Sequence, residues 1–259
     1  MQTALTIAAS DSGGGAGIQA DLKTFAAHGV FGLTAITAVT AQNTLGVARV
    51  LALPADMVTA QIDAVVSDLR PAATKIGMLA NASIAQAVAT ALVRHDVPLV
   101  VLDTVMRATA GTRLLTEDAV DVLRRDLIPL ATVVTVNLTE AEVLTGRRLE
   151  TVADMRQAAQ WLVGAGARAV VVKGGHVEGP PTDVFFDGRD LVELSGSRIE
   201  TPHTHGTGCT FAAAIAARLA LGDPLLEAVS GAKAYVTAAI AQAPGLGGGH
   251  GPLQHSVDV

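Results

Sequence analysis

The stretch Thr204-His205-Gly206-Thr207-Gly208-Cys209-Thr210, running straight into Phe211-Ala-Ala-Ala-Ile215-Ala-Ala-Arg-Leu219, is the most informative part of this chain. Two glycines flank Thr207 and permit a sharp turn. An apolar run at helical spacing begins directly behind them. A helix that opens in this way leaves its first backbone N–H groups without partners and aims its positive dipole end at one point. Such a point is an anion hole, suited to a phosphoryl group in transfer. Cys209, the only cysteine, sits on its rim, where a helix terminus favours the thiolate. A lone cysteine is more often an inert buried thiol, and this position shifts the balance towards function.

Upstream, short β-branched runs end in polar or glycine residues: Ala4–Ala8, Leu33–Val39, Val47–Leu51, Thr74–Ile76, Leu99–Leu102, Thr132–Val136 and Ala169–Val172. Amphipathic stretches of helical length lie between most of them, at Ile18–Ala27, Ala55–Leu69, Ile84–Arg94, Glu117–Leu127 and Met155–Val163. That alternation predicts an α/β fold with a central, mainly parallel sheet and helices on both faces. Val184–Phe186 and Leu191–Leu194, around Asp187-Gly188, add a small β-hairpin, and two helices follow it. Gly245–Gly251 reads as loop. No repeat or linker divides the chain, so one domain over residues 1–259 is expected.

Composition narrows the function classes. Half of the 259 residues are hydrophobic and 16% are charged, with a net charge of −6 and no basic run. One Trp, one Tyr and five Phe give few rings for stacking bases, which argues against a nucleic-acid groove. No uncharged apolar run reaches the ~20 residues of a membrane span. The N-terminus has no basic leader and meets Asp11 early, and a single cysteine permits no internal disulfide. A cytoplasmic protein is expected.

In an open parallel sheet, ligands gather beyond the carboxyl ends of the strands. Here those ends carry Ser10-Asp11-Ser12, Gln42-Asn43, Gly77-Met78, Asp103, Asn137 and Lys173, the makings of one composite site. Gly15-x-Gly17-x-x-Ala20 formally matches a dinucleotide fingerprint, but the second strand ends in Gln42 and offers no ribose-binding carboxylate. A Walker loop is absent. Asp21 borders the stripe of Ile18, Leu22 and Phe25, as a ligand group or as one half of an ion pair. Gln42 and Met78 read equally well as a turn residue and a core filler. Asp103 and Asn137-x-x-Glu140 are hard oxygen donors at adjacent strand ends and suit Mg²⁺. Asn137 with Glu140 also reads as a helix capping box. Lys173, ending the most hydrophobic strand, can meet anionic phosphate.

Ala8-Ala-Ser-Asp-Ser-Gly-Gly-Gly-Ala-Gly17, Gln19-Ala-Asp-Leu-Lys-Thr24, Thr40-Ala-Gln-Asn43, Lys75-Ile-Gly-Met78, Val101-Leu-Asp103, Lys173-Gly-Gly-His176 and Thr204–Thr210 occur in this order. Taken together they closely resemble the hydroxymethylpyrimidine/phosphomethylpyrimidine kinases of thiamine biosynthesis, within the ribokinase-like superfamily. The resemblance runs from the first strand to about Ile240. It implies a ribokinase-like fold and an ATP- and Mg²⁺-dependent kinase, commonly dimeric, that phosphorylates 4-amino-5-hydroxymethyl-2-methylpyrimidine and then its monophosphate. It implies that Asp21, Gln42 and Met78 hold the aminopyrimidine, and that Gly206, Thr207 and Gly208 present amides to the γ-phosphoryl. Cys209 takes the place of the usual Asp base. Asp103 and Glu140 organise metal and phosphates, and Lys173, Asn137 and Glu140 face the nucleotide. Thr109 stands where a lysine is common. Val136 and Thr139 replace frequent prolines, and Pro202-His203 replaces Lys-Asn. A pyridoxal kinase and a non-catalytic pyrimidine-binding protein are the rival expectations.

Overall fold

The computed structural model describes residues 1–108, 111–175, 177 and 179–257. The chain runs β1 (Thr3–Asp11), α1 (Gly17–Ala27), β2 (Phe31–Asn43), β3 (Gly46–Ala52), α2 (Ala55–Leu69), β4 (Ala73–Ile76), α3 (Ala82–Arg94), β5 (Val100–Asp103), α4 (Glu117–Val122), β6 (Val133–Asn137), α5 (Leu138–Thr145), α6 (Val152–Gly164), β7 (Val170–Lys173), β8 (Thr182–Phe186), β9 (Leu191–Ser195), α7 (Thr207–Leu221) and α8 (Leu225–Ala241). The strands form one nine-stranded sheet in the order β3-β2-β1-β4-β5-β6-β7-β8-β9. Its centre, from β2 to β7, is parallel. Antiparallel pairs finish both edges, β2–β3 on one side and β7–β8–β9 on the other. This is the expected architecture, with a second hairpin at the β3 edge.

Burial follows the pleat. Leu5, Ile7, Val100, Leu102, Val134 and Val136 point to the face covered by α2, α3, α5 and α6. Their neighbours Ala4, Val101 and Val133 point to the face covered by α1, α7 and α8. A strand sandwiched between two helical layers is apolar at every position, which is why the central runs read as continuous rather than alternating.

Three local expectations change. Leu99 adopts a left-handed backbone at φ 47°, so β5 starts one residue later than its apolar run. The stretch Glu117–Leu127 is helical only to Val122 and then widens into a π-helical turn over Leu123–Leu127. Pro129, which has no N–H to give, lies in the 3₁₀ turn that follows, Ile128–Leu130. The eight-residue α5 adds a helix to those expected from apolar period, which it is too short to display; only the Asn137–Glu140 capping box marks its start.

Candidate active site

Because the central strands are parallel, their carboxyl ends open on one edge, and a cleft of about 610 Å³ lies there. Gln42, Met78, Asp103, Asn137, Glu140 and Lys173 line it, together with Gly206, Thr207, Gly208 and Cys209. Ten of the eleven expected site residues therefore line the cleft, and Asp21 is the correction. It is fully buried and does not line the cleft. Its Oδ1 accepts from Lys75 Nζ at 3.0 Å, and its Oδ2 accepts from Lys75 Nζ at 2.9 Å and Thr6 Oγ1 at 2.6 Å. Burial dominates the Asp21 carboxyl and raises its pKa, although Lys75 and Thr6 pull the other way. The Lys75 pKa rises because the Asp21, Cys209 and Asp103 charges outweigh its burial. Asp21 thus takes the ion-pair role left open by its place on α1, and it has no oxygen free for a ring.

The anion hole begins at Gly206, the residue before α7, with φ 83°. Only glycine fits: a Cβ there would lie 1.8 Å from the Gly15 carbonyl oxygen, and the left-handed backbone disfavours any side chain. Gly208 has a different reason. It lies inside the first helical turn, where a Cβ would stand 3.2 Å from Lys173 Nζ, so its bareness makes room for the ammonium rather than for a bend. Among the described residues no side chain caps α7. The Thr207 N–H turns back to the Thr204 carbonyl at 3.3 Å. That removes one of the three expected amide donors and leaves the following first-turn N–H groups, Gly208 and Cys209, for a ligand.

Facing this helix end, Lys173 Nζ donates to Asp103 Oδ1 at 3.0 Å, as does Thr135 Oγ1 at 3.2 Å. Asp103 Oδ2 has no hydrogen-bond partner among the described residues. Burial pushes the Asp103 pKa up, but Lys173 and Lys75 bring it below the usual range. The Lys173 pKa is raised: burial would lower it, and the Asp103 and Glu140 charges prevail. Glu140 is raised by burial, with the Asp103 charge adding to it. The capping box is real: Asn137 Oδ1 accepts from Glu140 N at 2.9 Å, and Glu140 Oε2 accepts from Asn137 N at 2.9 Å. Both residues nevertheless line the cleft, so capping sets the carboxylate in place.

Two carboxylates, one with an oxygen uncommitted, fit a divalent cation that takes few protein ligands and completes its shell from water and phosphate. Among the described residues no three His, Cys, Asp or Glu side chains form an all-protein cage. Burial pushes the Cys209 thiol up to about 11, further raised by Asp103 and Asp21 and only partly countered by Lys75. The helix terminus alone would favour a thiolate, but here loss of hydration outweighs it and favours the thiol.

Sequence reasoning did not single out Lys233, Asp183, Arg198 or His205. Lys233 Nζ donates to Asp183 Oδ2 at 2.8 Å, on the same cleft as Gly196 and Ile240. The Arg198 guanidinium ties down the carbonyls of Gly175, Val177 and Gly179. At the opposite end His205 meets Asp11 at 2.8 Å and Gln42 at 3.3 Å. His205 was in plain view inside the glycine stretch, but its partners are far away in sequence. Thr109 and His176 lie outside the described residues.

The model of the family described as phosphomethylpyrimidine kinase matches residues 11–254. A hydroxymethylpyrimidine/phosphomethylpyrimidine kinase of Rhizobium meliloti is 56% identical, covering 97% of this chain and 96% of that protein. Among solved structures, an ADP complex of Bacillus subtilis pyridoxal kinase superposes with TM-score 0.93 at 40% identity, covering 99% of this chain and 98% of the other. Phosphomethylpyrimidine kinase from Clostridium difficile 630 superposes with TM-score 0.82 at 40% identity, covering 92% and 98%.

Proposed function

The chain belongs to the phosphomethylpyrimidine kinase family, and on that premise we propose that it phosphorylates 4-amino-5-hydroxymethyl-2-methylpyrimidine from ATP and then converts the monophosphate to the pyrophosphate, for thiamine biosynthesis. One observation carries the reading: the Asp103–Lys173 pair faces an uncapped helix end midway along a single cleft. A mere pyrimidine binder has no use for that arrangement.

The acceptor ring lies at the end lined by Gln42 and Met78, which supply an amide edge and an apolar face. The nucleotide lies at the other end, with Lys173, Asn137 and Glu140 towards its phosphates. Mg²⁺, held through Asp103 and Glu140, neutralises phosphate charge when bound. The amides of Gly208 and Cys209 receive the charge that develops on the γ-phosphoryl. The hydroxymethyl oxygen bonds to the γ-phosphorus as the bond to the ADP oxygen breaks. Phosphoryl transfer of this kind needs alignment more than a strong base. Cys209, as a neutral thiol, accordingly relays the alcohol proton to a phosphoryl oxygen instead of keeping it.

Residues 1–259 act as one kinase domain in the cytoplasm, and no helix among the described residues is long and apolar enough to cross a membrane. A homodimer is supported by the apolar edge of the sheet, where Phe31, Val39, Val50 and Leu51 are exposed. Sedimentation of the purified protein tests this. The function is tested by ADP release with ATP and Mg²⁺, comparing hydroxymethylpyrimidine, its monophosphate and pyridoxal. Turnover of both pyrimidines well above pyridoxal supports the reading. A preference for pyridoxal, the substrate named for the Bacillus subtilis neighbour, replaces it. Pyrimidine binding without ADP release leaves a binder.

A further inference from the structure

The side chain of His205, only 10% exposed, closes a hydrogen-bond network that none of the roles above requires. Asp11 ends β1. Its Oδ1 accepts the N–H of Gly13 at 2.8 Å, and its Oδ2 accepts those of Gly15 at 3.1 Å and Ala16 at 2.9 Å. His205 Nε2 adds a fourth contact at 2.8 Å. Burial opposes ionisation of Asp11, but the His205 and backbone hydrogen bonds outweigh it and lower the pKa. An ionised carboxylate has no proton to give, so His205 Nε2 carries the hydrogen.

That assignment decides the orientation of Gln42. With its nitrogen towards His205, at 3.3 Å, the Gln42 amide would set N–H against N–H. Its oxygen, 3.2 Å from Thr40 Oγ1, would meet a hydroxyl whose single proton goes to the Ser10 carbonyl at 3.0 Å. Half a turn of the terminal amide resolves both conflicts, because its oxygen and nitrogen are close in size. The carbonyl then takes the longer, 3.3 Å branch of the Nε2–H that Asp11 Oδ2 accepts at 2.8 Å, and the nitrogen donates to Thr40 Oγ1. No donor is then left facing a donor, and no acceptor an acceptor.

We infer that His205, fixed by Asp11, is a positioning residue that holds the Gln42 amide with its oxygen towards Nε2 and its nitrogen towards Thr40, and so sets which ring the acceptor end takes. The inference rests on Gln42 reading the substrate ring, as proposed above. A held amide keeps one N–H and one carbonyl lone pair for a ligand. An aminopyrimidine edge offers a ring-nitrogen acceptor beside an amino donor and matches both. A pyridine carrying hydroxyl and aldehyde groups pairs its donor with a substituent oxygen rather than with a ring nitrogen, so its edge has a different shape. The His205 backbone N–H donates to the Gly251 carbonyl at 3.1 Å, and the next residue opens the anion hole. Ring selection and phosphoryl binding therefore share one short turn.

His205→Phe keeps a ring but removes the N–H, and His205→Gln returns an N–H near the same place. For His205→Phe, the KM for hydroxymethylpyrimidine should rise about tenfold and the preference over pyridoxal should shrink, while kcat and the KM for ATP stay within about threefold. His205→Gln should recover most of the loss. An unchanged pyrimidine KM and preference, or an equal loss in the KM for ATP, overturns the inference. Should His205→Phe not fold, ¹⁵N NMR of the unaltered protein decides: a ring protonated at Nε2 is required, and a ring protonated only at Nδ1 overturns the network. Failure of the unaltered protein to turn over any pyrimidine would instead overturn the function proposed above, and the NMR result would still stand.

Discussion

Lys75 and Asp21 pair at 2.9 Å with both side chains sealed from solvent, whereas Lys173 and Asp103 pair at 3.0 Å with Lys173 17% exposed on the cleft. The ion pairs are chemically the same. They differ in what remains free. Both Asp21 oxygens are taken by Lys75, and Thr6 shares one of them. Asp103 gives one oxygen to Lys173 and Thr135 and keeps the other at the cleft. A charge acts on a ligand only if it has a vacant lone pair and a path to it, so one pair braces the floor and the other can work on phosphate.

The sharpest way to break this contrast is to remove each ammonium in turn. Lys75→Met strands a buried carboxylate and should cost about 3–5 kcal/mol of stability by urea unfolding. Adding Asp21→Leu should restore much of that loss, because apolar pairs of similar volume often replace buried ion pairs at little cost. If Lys75→Met left stability intact while abolishing turnover, the sealed pair would be the functional one. Lys173→Met should do the reverse. Its kcat should fall on the order of 10²–10³-fold, the scale of losing one transition-state donor, with a much smaller shift in the urea midpoint.

Cys209 sharpens the contrast through pH. Its thiol is pushed up to about 11 in the folded protein, against 9.0 for an unperturbed one. Alkylation of the native protein by iodoacetamide should therefore climb about tenfold per pH unit and show no plateau below about pH 10. A group whose folded pKa is raised contributes stability below its unfolded pKa. That contribution should drain away as pH rises from about 9 towards 11. A plateau near pH 7 would reinstate a thiolate base. The smallest effect belongs to the capping box. Asn137→Ala should lower stability by about 1 kcal/mol in thermal unfolding, and kcat should fall only as far as Glu140 is displaced.

How far the site can be read from the sequence depends on the range of the interaction. The ends of β2, β5, β6 and β7 were readable because each apolar run stops at a polar residue, and parallel pairing then brings Gln42, Asp103, Asn137 and Lys173 to one edge. Asn137 and Glu140 were readable as a box because they stand three positions apart. Asp21 was not, because its partner Lys75 is 54 residues away and the α1 pattern shows only that it borders a buried face. His205 and Asp11, 194 residues apart, were further beyond reach. Gly208 reads as part of a bend, whereas in the fold it lies inside the helix with Lys173 close above it.

By itself, the sequence determined the α/β alternation, the edge on which polar strand ends collect and the helix that opens on glycine, since these depend on period and on near neighbours. Only the tertiary structure decided which aspartate is sealed and which faces the cleft, that His205 lies between Asp11 and Gln42, and that burial raises the Cys209 pKa. Burial and pairing sum over residues remote along the chain, and a local pattern carries no record of which charge will lie against which.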